Sequence, residues 1–421
     1  MFSFLSSDRK KARRHAENWL HLARKVYHYR RDLLTGKEVA ELTAASNKLH
    51  ESLKSNEDPS KLRMDSERME EVIRRYGGPY YNRSGWRENT EVLLVAAILA
   101  IGIRTYFVQP FKIPTNSMWP SYYGMTHEIF ETSGEAPGAA SRVLRKIFLG
   151  ATRHTEAAPV DGDIRIPVVL RGEQYQLVPP VPVTARRFLV LPRQVLQYTL
   201  YVGDQPVHVR VPNDFQFDQV MRETFFPDAP SLGAGLGERF RAQDLRPVRD
   251  NLYSVGTGRD VRAGEPVVNF DLLTGDQLFV DRFSYHFVRP RIGDAFVFRT
   301  GNIETMRDQD DKYYIKRLVG QPGDTLEIDP PVLLRNGEPI SGRPVFERLN
   351  TRAEPYSGYV NEGRLAAGRR VTLPDGAYFA LGDNSPNSAD SRSFGPVPER
   401  EIVGRALFIY YPFTRRWGPS Q

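Results

Sequence analysis

One apolar stretch constrains the fold of this chain more than any other feature. Residues 92–108 read VLLVAAILAIGIRTYFV and hold ten Val, Leu, Ile or Phe side chains, interrupted only by Arg104 and Thr105. Each such side chain favours a bilayer by roughly 0.3–0.6 kcal/mol at a helix centre, whereas an arginine costs about 2.5–3.5 kcal/mol there and less near an end. The apolar sum wins, and one transmembrane helix is expected over 91–111. The competing reading is the buried core helix of a soluble domain. A cleaved leader does not fit, because a long polar region precedes the segment.

Charge orients that span. Residues 1–90 hold 19 Lys and Arg against 13 Asp and Glu, six of the chain's seven net positive charges. The positive-inside rule then puts the N-terminus in the cytoplasm and residues 112–421 outside it. Arg74, Arg75, Arg83 and Arg87 flank the membrane on the inner side. The absence of cysteine excludes disulfides, thiolate nucleophiles and cysteine-bound zinc.

Residues 9–54 are patterned as two helices folded into a hairpin. Trp19, Leu22, Val26, Tyr29 and Leu33 form one stripe, and Val39, Leu42, Leu49 and Leu53 another after Thr35-Gly36. The basic positions there (Arg13, Arg14, Arg24, Lys25) suit solvent or anionic lipid, and nucleic acid is not expected as a partner. Residues 76–87 form a linker. Beyond Pro120 the pattern turns mainly β, with strands expected at Tyr198–Val202, Val207–Val211, Phe296–Phe298, Tyr313–Val319, Thr325–Ile328 and Arg405–Tyr411. Asn336-Gly337 marks a tight hairpin. Residues 125–270 carry further strands and a helix near Ser141–Phe148, with no identifiable chemistry.

Directly after the apolar run stands Gln109-Pro110-Phe111-Lys112-Ile113-Pro114-Thr115-Asn116-Ser117-Met118-Trp119-Pro120. Prolines on both sides stiffen the backbone around Ser117, as a nucleophile held ready requires. An ordinary turn serine reads equally well from this segment alone. His15, His21, His28 and His50 precede the span and cannot reach Ser117 in this topology. His127, His154, His208 and His286 sit in no base or metal motif. A desolvated lysine can replace histidine as base. Lys316 is the candidate: strand periodicity places it on one face with Tyr314 and Leu318. Lowering a lysine from about 10.4 to about 8 costs roughly 3 kcal/mol, which burial can supply. Read alone, Lys316 also fits an exposed strand lysine. A third block, Leu381–Gly395, is dense in Asp, Asn and Ser and suits a rigid loop.

Taken together and in order, these blocks resemble the type I signal peptidases, membrane-anchored Ser/Lys proteases. The resemblance rests on the span, Pro114–Pro120, Gly275-Asp276 with Gly293-Asp294, Lys316-Arg317-Leu318-Val319-Gly320-Gln321-Pro322-Gly323-Asp324, and Gly382-Asp383-Asn384 with Ser388-Ala389-Asp390-Ser391-Arg392. It implies Ser117 as nucleophile, Lys316 as general base, and an oxyanion hole from the Ser117 N–H and the Thr115 hydroxyl. Ser388 would orient the lysine, with Asp390 and Arg392 buttressing that loop. Phe111, Ile113, Tyr314 and Ile315 would line shallow substrate pockets for small side chains. Threonine at 115 departs from the family's usual serine but keeps the hydroxyl.

The implied fold is a mainly β catalytic core carrying a large β-rich insertion at 125–265, after one span and the helical hairpin. The implied function is removal of signal peptides from exported preproteins after Ala-x-Ala-like sites, at the outer face of a bacterial inner membrane. Partners would be preprotein signal peptides, the lipid bilayer and the secretion machinery, with no cofactor or metal. A protease dedicated to one partner, or a non-catalytic peptide-binding scaffold, are the alternatives.

Overall fold

The computed structural model describes residues 8–55, 57–81, 85–132, 134–171, 174–187, 191–241, 244–249, 251–307 and 310–420. Two compact units divide the chain near Ile101.

The N-terminal unit holds three helices rather than a hairpin: α1 (Asp8–Arg30), α2 (Gly36–Lys54) and α3 (Pro59–Tyr76). Thr35 and Glu38 form a reciprocal capping box at the start of α2, and Asp58 with Pro59 opens α3. On α1 the buried residues are Ala12, Ala16, Leu20, Ala23 and Val26. Tyr29 and Leu33 of the expected stripe are exposed. Small alanines let α1 pack closely against its neighbours, a signal that a search for large apolar residues overlooks.

Helix α4 (Gly85–Tyr106) contains an 18-residue window, Asn89–Tyr106, of mean hydropathy 1.3 whose side chains are not buried within the protein. It is long and apolar enough to cross a membrane. Its end falls at Tyr106, five residues before the expected Phe111, because Pro110 lacks an amide hydrogen and disfavours helix at Gln109. Arg83 lies outside the described residues, as does the side chain of Arg87.

The chain passes at once into β1 (Val108–Lys112). The segment expected to be an inserted subdomain follows: β2 (Thr126–Ile129), α5 (Ala139–Leu149), β3 (Thr152–Ala157), β4 (Gly162–Arg171), β5 (Gln174–Leu177), β6 (Val181–Arg187), β7 (Leu191–Val202), β8 (Gln205–Pro212), α6 (Phe217–Phe225), α7 (Leu232–Arg241), β9 (Leu245–Arg249), β10 (Leu252–Val261) and β11 (Pro266–Leu273). The expected hairpin is β7–β8, turning through Gly203 at φ 58°. Strand β11 lies between β2 and β3 and puts Val267, Val268, Phe270 and Leu272 into the subdomain's core. The apolar cluster of this segment therefore extends to Leu272.

The remainder returns to the sheet begun by β1: β12 (Gln277–Asp281), β13 (Ala295–Arg299), β14 (Tyr313–Gly320), then β15 (Thr325–Asp329), β16 (Val332–Arg335), β17 (Glu338–Pro339), α8 (Pro344–Asn350), β18 (Val371–Thr372), β19 (Ala377–Leu381), α9 (Ser391–Phe394), β20 (Val397–Pro398), β21 (Ile402–Tyr411) and β22 (Gly418–Pro419). The main sheet runs β1-β12-β21-β13-β14-β19-β20. Asn336 and Gly337, both at positive φ, make the β16–β17 turn as their sequence requires. After α4 the chain is mostly strand, and the four N-terminal helices make the whole a mixed α/β chain.

Candidate active site

The turn after β1 is clamped from three sides. Ile113 N–H donates to the Asp276 carbonyl at 2.8 Å, Met125 N–H to the Pro114 carbonyl at 3.0 Å, and Gly124 N–H to Asn116 Oδ1 at 2.9 Å. A Cβ on Gly124 would lie 2.3 Å from the Thr115 carbonyl carbon, so this close approach needs glycine. Met118 and Tyr122 are fully buried behind the turn. Ser117 is held with only 9% of its surface exposed.

Lys316 reaches the same point from β14. Its Nζ donates to Ser117 Oγ at 2.7 Å and to the Ile315 carbonyl at 3.1 Å. The ring of Tyr314, on the same strand face, lies 5.2 Å from Nζ. Burial pushes the ammonium's pKa down to about 8, opposed by the charges of Asp390 and Asp383. Once the amine is neutral the contact reverses, with the Ser117 hydroxyl donating to the nitrogen lone pair. That arrangement can withdraw a proton from the serine near neutral to mildly alkaline pH.

The third block closes the site from behind. Asn384 N–H donates to the Ser117 carbonyl at 3.1 Å, and its Nδ2 to the Asn116 carbonyl at 3.0 Å. A Cβ at Gly382 would come within 2.5 Å of the Ser117 carbonyl oxygen, so the loop sits directly on the serine turn. Asp390 caps α9 and accepts from Gly382 N–H at 3.0 Å and from Arg392 Nε at 2.8 Å. Arg392 also donates to the carbonyls of Ser385 at 2.6 Å and Val360 at 3.0 Å. Asp390 and Arg392 thus form a buried hydrogen-bonded network within this loop.

Ser388 behaves differently from its expected part. Its Oγ packs against Gly382, buried and without a hydrogen-bond partner among the described residues, while the lysine's contacts go to Ser117 and the Ile315 carbonyl. The loop is fixed through its carbonyls, including that of Ser388 to Arg392 at 3.2 Å, which leaves the hydroxyl disengaged.

Four residues escaped the sequence reading as positioning groups. Arg317 and Asp383 form a fully buried bidentate pair, at 2.8 and 2.6 Å, joining the lysine strand to the third block. Asn116 and Asn384 join that block to the serine turn. Their signal was the Gly-Asp-Asn turn itself, which marks a loop without revealing its partner.

A cleft of about 580 Å³ opens beside Ser117 and Lys316. Phe111, Ile113, Thr115, Tyr314 and Ile315 line it, with Leu278 and Val297. The Thr115 hydroxyl is exposed there and makes no hydrogen bond among the described residues. Over Tyr313–Lys316, β14 pairs only with β13, since β19 begins its pairing at Arg317. One strand edge is therefore open for an extended peptide. Asp214 and Gln216 of the inserted subdomain also border the cleft, which was not anticipated. No described histidine lines it.

The family described as signal peptidase, peptidase S26, matches residues 268–411, a segment that includes Lys316 and the third block. A probable signal peptidase I-1 of Synechocystis sp. is 35% identical over 145 residues, 34% of this chain and 66% of that protein. Signal peptidase I T of Bacillus subtilis is 33% identical over 33% of this chain and 67% of its own length. A probable chloroplastic thylakoidal processing peptidase 2 of Arabidopsis thaliana is 30% identical, with 33% and 34% covered. A solved signal peptidase I of Enterococcus faecalis aligns with 28% of this chain and 97% of its own, at 25% identity and a TM-score of 0.22. The chain belongs to the signal peptidase I (S26) family. It spans just under two thirds of the first of these relatives, and Ser117 lies ahead of the matched family segment, across the insertion.

Proposed function

We propose that this chain is a membrane-anchored serine endopeptidase that removes signal peptides from preproteins, with Ser117 as nucleophile and Lys316 as general base. The observation that carries the reading is the 2.7 Å contact between a buried lysine and a buried serine at the wall of a peptide-sized cleft. The substrate adds as a strand along the open edge of β14. Ser117 Oγ attacks the scissile carbonyl while its proton passes to the neutral Lys316 amine. The developing oxyanion is met by the Ser117 N–H and the Thr115 hydroxyl, donors aimed at charge as it forms. The lysine ammonium then protonates the leaving amine, and the same lysine activates the water that hydrolyses the acyl-enzyme.

Phe111, Ile113, Tyr314 and Ile315 crowd the cleft and favour small residues before the cut, as in Ala-x-Ala sites. Residues 1–90 are cytoplasmic, α4 crosses a bacterial inner membrane, and the rest acts at its outer face. Ser117 follows the end of α4 by eleven residues, which suits a cleavage site emerging from a bilayer. The test is cleavage of a purified preprotein with product sequencing: Ser117→Ala and Lys316→Ala must each abolish it, and retained cleavage by either refutes the assignment. A second reading, specialisation for one partner, is favoured by Asp214 and Gln216 bringing the insertion to the cleft.

A further inference from the structure

Helix α5 of the inserted subdomain is inside out for a water-facing helix. Its sequence, AASRVLRKIFL, puts Val143, Leu144, Ile147 and Phe148 on one side, because positions four apart share a helix face. A surface helix turns such a stripe toward the core. Here none of the helix's residues is buried, and Val143 and Ile147 are 59% and 56% exposed. The side that faces the protein is polar. Arg145 pairs with Glu128 and, at 3.0 Å, with the buried Asp271, while Lys146 Nζ donates to Thr152 Oγ1 at 2.6 Å. The helix is moored by its cations and presents its apolar side outward.

The outward stripe continues into the C-terminal segment. Phe413 N–H donates to the Phe148 carbonyl at 2.9 Å, and the two rings lie 6.1 Å apart. Phe413 and Trp417 are each about half exposed. No acidic residue occurs in 139–149 or 413–417, whereas the exposed Arg142 and Arg415 do. An apolar stripe edged by cations and aromatic rings matches the interfacial layer of an anionic bilayer better than it matches water. The last turn of α4, from Gly102, belongs to the same compact unit as α5. A chain anchored through α4 would therefore hold α5 near lipid at high effective concentration.

We propose that α5, with Phe413 and Trp417, is a second membrane contact, lying flat in the headgroup layer of an anionic bilayer and seating the inserted subdomain on it. This rests on the reading of α4 as the membrane anchor. The chain has no cysteine, so one introduced cysteine carries the only nitroxide label. Full-length Ile147→Cys, Ile98→Cys and Glu338→Cys proteins, all changed at exposed positions, are labelled and reconstituted in phosphatidylglycerol–phosphatidylcholine vesicles. Collision rates with oxygen and with a water-soluble nickel chelate are then compared. The expected result is an oxygen-to-nickel ratio at Ile147 several-fold above that at Glu338, and smaller without phosphatidylglycerol. If Ile98 reads as lipid while Ile147 reads as water, the proposal falls and the anchor stands. Label–label dipolar broadening at Ile147 would mean that a second copy covers the face, and would also overturn it. An aqueous reading at Ile98 removes the anchor and the proposal together.

Discussion

The sheet that carries the cleft and the inserted subdomain both bury charge, but they settle it differently. In the insertion, Arg165 is 1% exposed and its guanidinium is met by Asp163 at 2.6 Å, Asp244 at 3.1 Å, and both the hydroxyl and carbonyl of Ser254. The same segment buries an apolar cluster that includes Phe215, Phe217 and Phe270. In the cleft region Arg317 is paired just as fully, yet its neighbour Lys316, 4% exposed, has no carboxylate within ion-pair distance among the described residues. A buried cation left with a hydroxyl and a carbonyl is destabilising, and its pKa falls in consequence. Arg165 is held with its charge fully met, whereas the cleft retains one unresolved charge, and the proposed chemistry depends on it.

The largest effect that would break this contrast is on turnover. Ser117→Ala and Lys316→Ala are each expected to lower preprotein cleavage by more than about a thousandfold, since groups acting as a unit fail together. Circular dichroism should show both variants folded. Next come two substitutions of similar structural cost in the two regions. Asp383→Asn strands the buried Arg317 guanidinium and should cost about 3–5 kcal/mol in urea unfolding. Phe217→Ala, in the insertion's core, should cost about 3–5 kcal/mol through its cavity. They separate in the pH profile. Asp383 helps hold the Lys316 proton, so its loss moves the activity midpoint below pH 8, whereas Phe217→Ala leaves the midpoint where it was.

A smaller effect tests the lysine's charge directly. Only the neutral amine accepts a proton, so kcat/KM should rise about tenfold per pH unit below pH 8 and level off above it. Stability follows the same sign. The folded pKa, about 8, lies below the free value of 10.5, so the unfolded chain binds the extra proton between those limits. The burial penalty is therefore complete below pH 8 and is relieved as pH rises toward 10.5, by about 3 kcal/mol in all. Lys316→Met removes the penalty outright. It should be inactive, yet about 1–3 kcal/mol more stable than the native chain at pH 7 in thermal melts. A less stable Lys316→Met protein would show that the lysine is well solvated or well paired after all.

What could be read from the sequence followed the reach of its signals. Ser117, Lys316 and the Gly382–Arg392 loop were legible because prolines, a strand period and a run of hydrogen-bonding residues each leave a local mark, and their collinear order matched a known family. The end of α4 was missed although Pro110 marks it, because apolar length was weighed above backbone chemistry. The alanine stripe of α1 was missed because small residues carry little hydrophobic signal; the third helix was missed although Leu62, Met69, Val72 and Ile73 mark its buried face. The Arg317–Asp383 pair and the arrival of Asp214 at the cleft were beyond reach, since each depends on segments brought together only by folding. Helix α5 was foreseen as a helix near Ser141–Phe148, but which face it turns toward the protein is set by Asp271 and Glu128, outside the helix itself.

The finest test concerns Ser388, whose expected bond to the lysine is absent. A buried hydroxyl without a partner costs about 1 kcal/mol or more, so Ser388→Ala should leave stability unchanged or raise it by about 1 kcal/mol. If Ser388 also steers Lys316 during turnover, that gain comes with a fall in kcat at unchanged KM. The reason is that Lys316 loses its contact with Ser117 Oγ once that oxygen bonds to the scissile carbon, and its ammonium then needs another acceptor to stay aimed at the leaving amine of the tetrahedral intermediate. Ser388→Thr keeps the hydroxyl and should restore part of kcat, whereas a purely packing role would leave kcat alike in the two variants. The residue would then be a device held idle in the resting enzyme, at a small cost in stability, and engaged only after Ser117 has reacted.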